Sequence, residues 1–207
     1  MGINLTKGQA INLSKSNPGL SEVMVALGWD PIEQKAFSGG GFLSKLFGGL
    51  TTTKIDVDID ASVFMLDGSG RNVQDFVYFG QLKSNCNSIR HSGDNRTGDG
   101  DGDDETIFVD LARIPSKVKK LVFVVNIYNC VQTRQEFGMI ENSYIRLLDH
   151  KTGQELVRYD LKQEYSGKTA VVVAELEKIG SEWQFAAIGE GTRDRNLSEL
   201  RDSVLSR

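Results

Sequence analysis

The sequence predicts an all-β fold, an antiparallel β-sandwich closed by a short C-terminal helix. Three observations support this. Apolar runs of strand length recur throughout the 207 residues, clusters of turn-forming residues separate them, and only the C-terminal segment has convincing helical apolar spacing. In order, the strands are EVMVALGW (22–29), KIDVDIDASVFML (54–66), DFVYFG (75–80), ETIFVDL (105–111), KLVFVVNIY (120–128), SYIRLLD (143–149), ELVRYDL (155–161), TAVVVAELE (169–177) and EWQFAAIGE (182–190). DGSG, HKTGQ and KIGSE each suit a tight turn between neighbouring strands, which predicts hairpins there. In the tail, Leu197, Leu200, Val204 and Leu205 fall near one helical face, with Asn196 placed to cap it. Many strands without intervening amphipathic helices exclude a parallel βαβ architecture.

Residues 1–207 read as a single domain, because this length suits one substantial core. A glycine-rich segment at 38–50, SGGGFLSKLFGGL, reads as a loop insertion carrying Phe42, Leu43, Leu46 and Phe47. It either folds back on the core or offers a contact to a partner or membrane surface. Hydrophobic residues at 39% and only three prolines describe a globular chain, not a disordered one. A net charge of −4 without a dense Lys/Arg cluster argues against nucleic acid as a partner. Cys86 and Cys130 have no CxxC spacing, so free, buried thiols in a reducing compartment are expected. The first residues lack the apolar core of a signal peptide, and the longest apolar stretch, LVFVV, is too short for a transmembrane segment. A cytoplasmic protein is the expectation.

Acidic residues hold the chemical interest. In KIDVDIDASVF, Asp56, Asp58 and Asp60 alternate with apolar residues, so an uninterrupted strand would align three carboxylates at about 6.6 Å spacing. Further on, GDNRTGDGDGDDE places six acidic side chains and four glycines in the thirteen positions 93–105. Aspartate and glycine in alternation supply oxygen ligands from a backbone that can curl around an ion, which suits Ca²⁺ better than Zn²⁺ or Mg²⁺. An EF-hand is excluded: Asp99, Asp101 and Asp103 fit its first, third and fifth positions, but Asp104 replaces the turn glycine and Asp110 falls inside a strand. From residue types alone, a metal cage and a solvated acidic loop both stand. His91, just before the loop, admits a third reading, a metal-dependent hydrolase with His91 as base, although no GxSxG or HExxH accompanies it.

The segments LGWD, DIDASVFML, SIRHSGDNRTGDGDGDDE, IFVDLARIP, KLVFVVNIY and FGMIENSYIRLLD, in that order, resemble the TerD family of bacterial tellurite-resistance and stress-response proteins. The resemblance spans nearly the whole chain. It implies a β-sandwich that binds Ca²⁺, usually two ions, without established catalysis, and acts as a calcium-dependent binding or scaffold module. It places metal ligands at Asp30, Asp58, Asp60, Asn95, Thr97, Asp99, Gly100, Asp101, Asp103, Asp104 and Glu105, with Asp94, Gly98 and Gly102 in the same loop. It further implies protein partners, a membrane-associated stress complex among them, and a site of action reaching the periphery of the inner membrane.

Overall fold

In the computed structural model, residues 2–37, 50–54, 56–93, 102–161 and 165–207 are described. The insertion expected at 38–50 lies outside these residues except for Leu50.

The strands are β1 (Ile3–Asn4), β2 (Ala10–Asn12), β3 (Glu22–Pro31), β4 (Glu33–Phe37), β5 (Leu50–Lys54), β6 (Ile59–Asp67), β7 (Val73–Val77), β8 (Ile89–His91), β9 (Glu105–Asp110), β10 (Val118–Ile127), β11 (Ile140–Asp149), β12 (Glu155–Asp160), β13 (Ala170–Ile179) and β14 (Glu182–Thr192). Among the described residues, three short α-helices accompany them: α1 (Leu13–Ser16), α2 (Cys130–Thr133) and α3 (Leu197–Leu205). Two six-stranded sheets form the sandwich, one ordered β1-β12-β11-β3-β9-β8 and the other β2-β14-β13-β10-β6-β7. The β1–β12 pair is parallel, and the other ladders are antiparallel. A separate β4–β5 hairpin flanks the insertion.

Alternation sets what each strand contributes to the core. Val23, Val25, Leu27 and Trp29 of β3 face inward against Leu121, Phe123, Val125 and Ile127 of β10 within one continuous apolar cluster. The run LVFVV alternates poorly because the second sheet is covered on both sides. Val122 and Val124 point outward and join Phe64, Leu66, Ala170 and Val172 in a smaller cluster roofed by Leu200 and Val204 of α3. Asn196 caps α3 as expected, accepting from the backbone N–H groups of Ser198 and Glu199.

The three turn clusters do close hairpins, between β6 and β7, β11 and β12, and β13 and β14. One expectation is corrected. The single strand read from Lys54 to Leu66 is two: β5 ends at Lys54 and pairs with β4, whereas β6 starts at Ile59 and pairs with β10 and β7. Of the three aspartates, only Asp60 therefore lies in a strand. Both cysteines are free, but Cys86 is half-buried where a buried thiol was expected.

Candidate metal centre

In the chain the acidic glycine-rich segment lies between β8 and β9. Ile89, Arg90 and His91 pair with Val109, Phe108 and Ile107, and the Ser92 and Thr106 backbones continue the ladder to the base of the loop. Gly93 and Gly102 bracket residues 94–101 with φ of 121° and 120°, a backbone region that side-chain-bearing residues rarely adopt. Asn95, Thr97, Asp99, Gly100 and Asp101 lie outside the described residues. Asp103, Asp104 and Glu105 form the returning limb.

Each of those three carboxylates is anchored differently. Asp103 is gripped by the Arg146 guanidinium, with Nε to Oδ1 at 2.8 Å and the second contact to Oδ2 at 2.7 Å. Tyr144 donates its hydroxyl hydrogen within reach of both Gly102 O (2.7 Å) and Asp103 Oδ1 (3.1 Å). Burial and the adjacent Asp103 push the Tyr144 phenol up to about 12, and the Asp103 carboxylate holds Arg146 still more firmly protonated. Gly28, opposite Tyr144 across the β3–β11 ladder, makes this contact possible, because a Cβ there would lie 2.6 Å from the tyrosine ring.

Asp104 accepts the Trp29 backbone N–H at Oδ2 (2.9 Å) and donates its own N–H to Leu27 O. Burial raises its pKa above the usual carboxylate range, and the negative charges of Asp30, Asp103 and Glu105 add to the shift despite the Trp29 bond. Asp30 itself accepts from Asn142 Nδ2 at 2.8 Å. Asn142 is positioned by an irregularity in the β3–β11 pairing and has a left-handed φ of 53°.

Glu105 faces the interior and is fully buried. Its Oε2 accepts the Ala61 backbone N–H at 2.5 Å, while His91 Nε2 meets Ala61 O at 3.1 Å. Ladder pairing between β6 and β7 starts only at Val63, so two side chains from the first sheet serve the Ala61 backbone of the second. His91 Nδ1 accepts from Gly93 N at 3.0 Å, which assigns the ring hydrogen to Nε2 as donor to Ala61. With a fully buried side chain and both nitrogens engaged, His91 is an internal strut with no approach for a substrate.

Asp30, Asp103 and Glu105 thus lie near enough to Asp104 for their charges to act on it. The other two acids, Asp58 and Asp60, stand at the start of β6. Asp60 lines a cleft on the outer face of the second sheet, and Asp58 precedes the strand, its carbonyl accepting from Tyr128 N. Among the described residues, no three His, Cys, Asp or Glu side chains are grouped closely enough to hold an ion by themselves. In kind the donors fit a hard cation: they are oxygens, and the strained charge on Asp104 is one that an ion would relieve. Sequence reading missed Tyr144, Arg146 and Asn142. The only available signal was the alternation of SYIRLLD, which turns Tyr144 and Arg146 away from the core together.

The chain matches the TerD domain over residues 1–203. It is 50% identical to the stress response protein SCP2 of Bacillus subtilis (strain 168) over 201 residues, covering 97% of this chain and 98% of that protein. It is 38% identical to the tellurium resistance protein TerZ of Serratia marcescens over 204 residues, covering 99% and 97%. The crystal structure of a homologue of the telluride resistance protein TerD from Streptomyces coelicolor A3(2) superposes with a TM-score of 0.65 at 21% identity, covering 87% of this chain and 95% of that one.

Proposed function

The chain belongs to the TerD domain family, whose relatives here are named for stress response and tellurium resistance, and from that premise we propose that it is a calcium-binding scaffold module. The observation that supports the proposal is the state of Asp104 at the end of the acidic segment, whose ionised form is disfavoured by burial and by the negative charges of Asp30, Asp103 and Glu105. Asp30 and Asp104 would supply oxygens from the described part of the site, and the donors of 94–101 would complete the cage around two ions. A bound ion would neutralise the cluster and fasten the acidic segment to the sandwich. Arg146 and Tyr144 keep Asp103 in place on one side, and Glu105 ties the limb to β6 on the other. The fastened surface would engage protein partners, including those of a membrane-associated stress complex. Among the described residues no helix is long and apolar enough to cross a membrane. The module is read as non-catalytic, since His91 is committed to Ala61 and Gly93.

Thermal unfolding of chelator-stripped protein tests this reading. Binding to the folded state alone adds about 2.7 kcal/mol per site at a hundred times the dissociation constant. That corresponds to a rise in melting temperature of roughly 5–10 °C for a chain of this size. Calcium should produce the rise and magnesium at equal concentration should not; no calcium-specific rise would sink the proposal.

Asp104→Asn sharpens the test because its effect should change sign. Since Asp104 has a raised folded pKa, its contribution to metal-free stability is fully present below the unfolded value of about 3.9 and is lost as pH rises through the folded value. At pH 7 without calcium, Asp104→Asn should melt above the unsubstituted protein while retaining an acceptor for Trp29. With calcium it should melt below it. Equal melting temperatures in both conditions would show that Asp104 neither stores repulsion nor binds the ion.

A further inference from the structure

Asn126 is the one polar residue in the run LVFVVNI of β10. By alternation it follows Val122 and Val124 on the outer face of the second sheet, where α3 roofs those valines but leaves a cleft of about 510 Å³ over the amide. At 5% exposure Asn126 is almost fully buried, and its Oδ1 has no hydrogen-bond partner among the described residues. A buried acceptor in that state destabilises the fold unless a donor or a cation is supplied.

Its neighbours favour the cation. Asp60 stands directly across the β6–β10 ladder from Asn126, and Tyr128, two residues further along β10, donates its N–H to Asp58 O. These are two of the carboxylates that the resemblance to the TerD family assigns to the metal. Ala61, the residue after Asp60, is held by Glu105 from the returning limb of the acidic segment. Side chains facing each other across an antiparallel pair have Cβ atoms about 4.5–5.5 Å apart. Two oxygens each about 2.3–2.6 Å from one calcium ion can bridge that span. Calcium accepts amide oxygens beside carboxylates, and a neutral ligand raises the coordination number without adding charge to an acidic cluster.

We propose that Asn126 is a ligand of the calcium site, its Oδ1 supplying a neutral oxygen to the ion. The assignment rests on the calcium reading and adds to it a residue outside the acidic motifs.

The test is a calorimetric titration of the chelator-stripped full chain with calcium, with magnesium as control, beside ¹H–¹⁵N spectra that follow the Asn126 side-chain amide. In the unsubstituted protein that signal should move in step with the calcium bound. Asn126→Leu keeps the size and removes the orphaned acceptor. It should melt no lower than the unsubstituted protein in chelator, yet bind calcium about tenfold or more weakly. Asn126→Asp buries one more carboxylate, so it should melt lower in chelator and gain more from calcium than the unsubstituted protein. Tyr128→Ala, at the exposed wall of the same cleft, should leave calcium affinity unchanged.

An amide satisfied only by water would alter stability in chelator and leave calcium affinity alone. If the unsubstituted protein binds calcium while the Asn126 signal stays still, the assignment of Asn126 falls and the calcium reading stands; the same holds if Asn126→Leu keeps full affinity. An equal loss in Tyr128→Ala would also overturn the assignment, since the shape of the cleft would then explain the effect. If the unsubstituted protein binds no calcium, both readings fall together. Should neither Asn126 variant fold, the side-chain signal of the unsubstituted protein decides.

Discussion

Glu105→Ala is expected to destabilise chelator-treated protein by about 3–5 kcal/mol, of which about 1–3 kcal/mol is the cost of an unsatisfied buried donor and the rest that of a cavity. It would lower the melting temperature by roughly 6–20 °C. The cost has two sources. Ala61 N–H would lose its acceptor at a point where β7 does not reach, and the space beside His91 would be left empty. Glu105→Gln keeps an oxygen for Ala61 at nearly the same volume and should recover most of the loss. Urea unfolding of the two variants beside the unsubstituted protein decides the matter. A loss under 1 kcal/mol for Glu105→Ala, or equal losses for both, would mean that the link between the sheets contributes little.

The second large effect is expected at Leu200→Ala. Leu200 is fully buried on the outer apolar cluster, so the change should cost about 2–5 kcal/mol with an unchanged urea m value. Ile179→Ser, at a position 57% exposed, provides the contrast and should stay within about 0.5 kcal/mol. If Leu200→Ala proved as mild as Ile179→Ser, α3 would be an ornament on the sheet and not its roof.

The long strands were legible because each carries its own signal, an inward apolar row or a buried run such as LVFVV. β1, β2, β4, β5 and β8 were not. They are two to five residues long, and pairing with a neighbour defines them more than any internal pattern. The break between Lys54 and Ile59 was hidden for a related reason. Alternation of Ile55, Val57 and Ile59 describes one chain locally, whereas the break occurs because the ladder partner changes from β4 to β10.

The site shows the same division. The acids of the segment 93–105 stand out by composition, and His91 drew attention by position. Their roles depend on Trp29, Ala61, Tyr144 and Arg146, which lie 30 to 75 residues away in sequence from the groups they hold. Spacing rules reach across one turn or one strand and cannot find such pairs.

β1 lies at the end of the first sheet beside β12, and β2 at the end of the second beside β14, so the first dozen residues border both layers on one side. A strand at a sheet margin leaves a row of backbone donors and acceptors available for another chain. Here one short segment shields two such margins at once. Its release would bare β12 and β14 together and let the arm of one molecule dock on the body of another. An exchanged dimer of that kind would reuse the same hydrogen bonds, and its formation would depend on how firmly residues 3–12 are held in place.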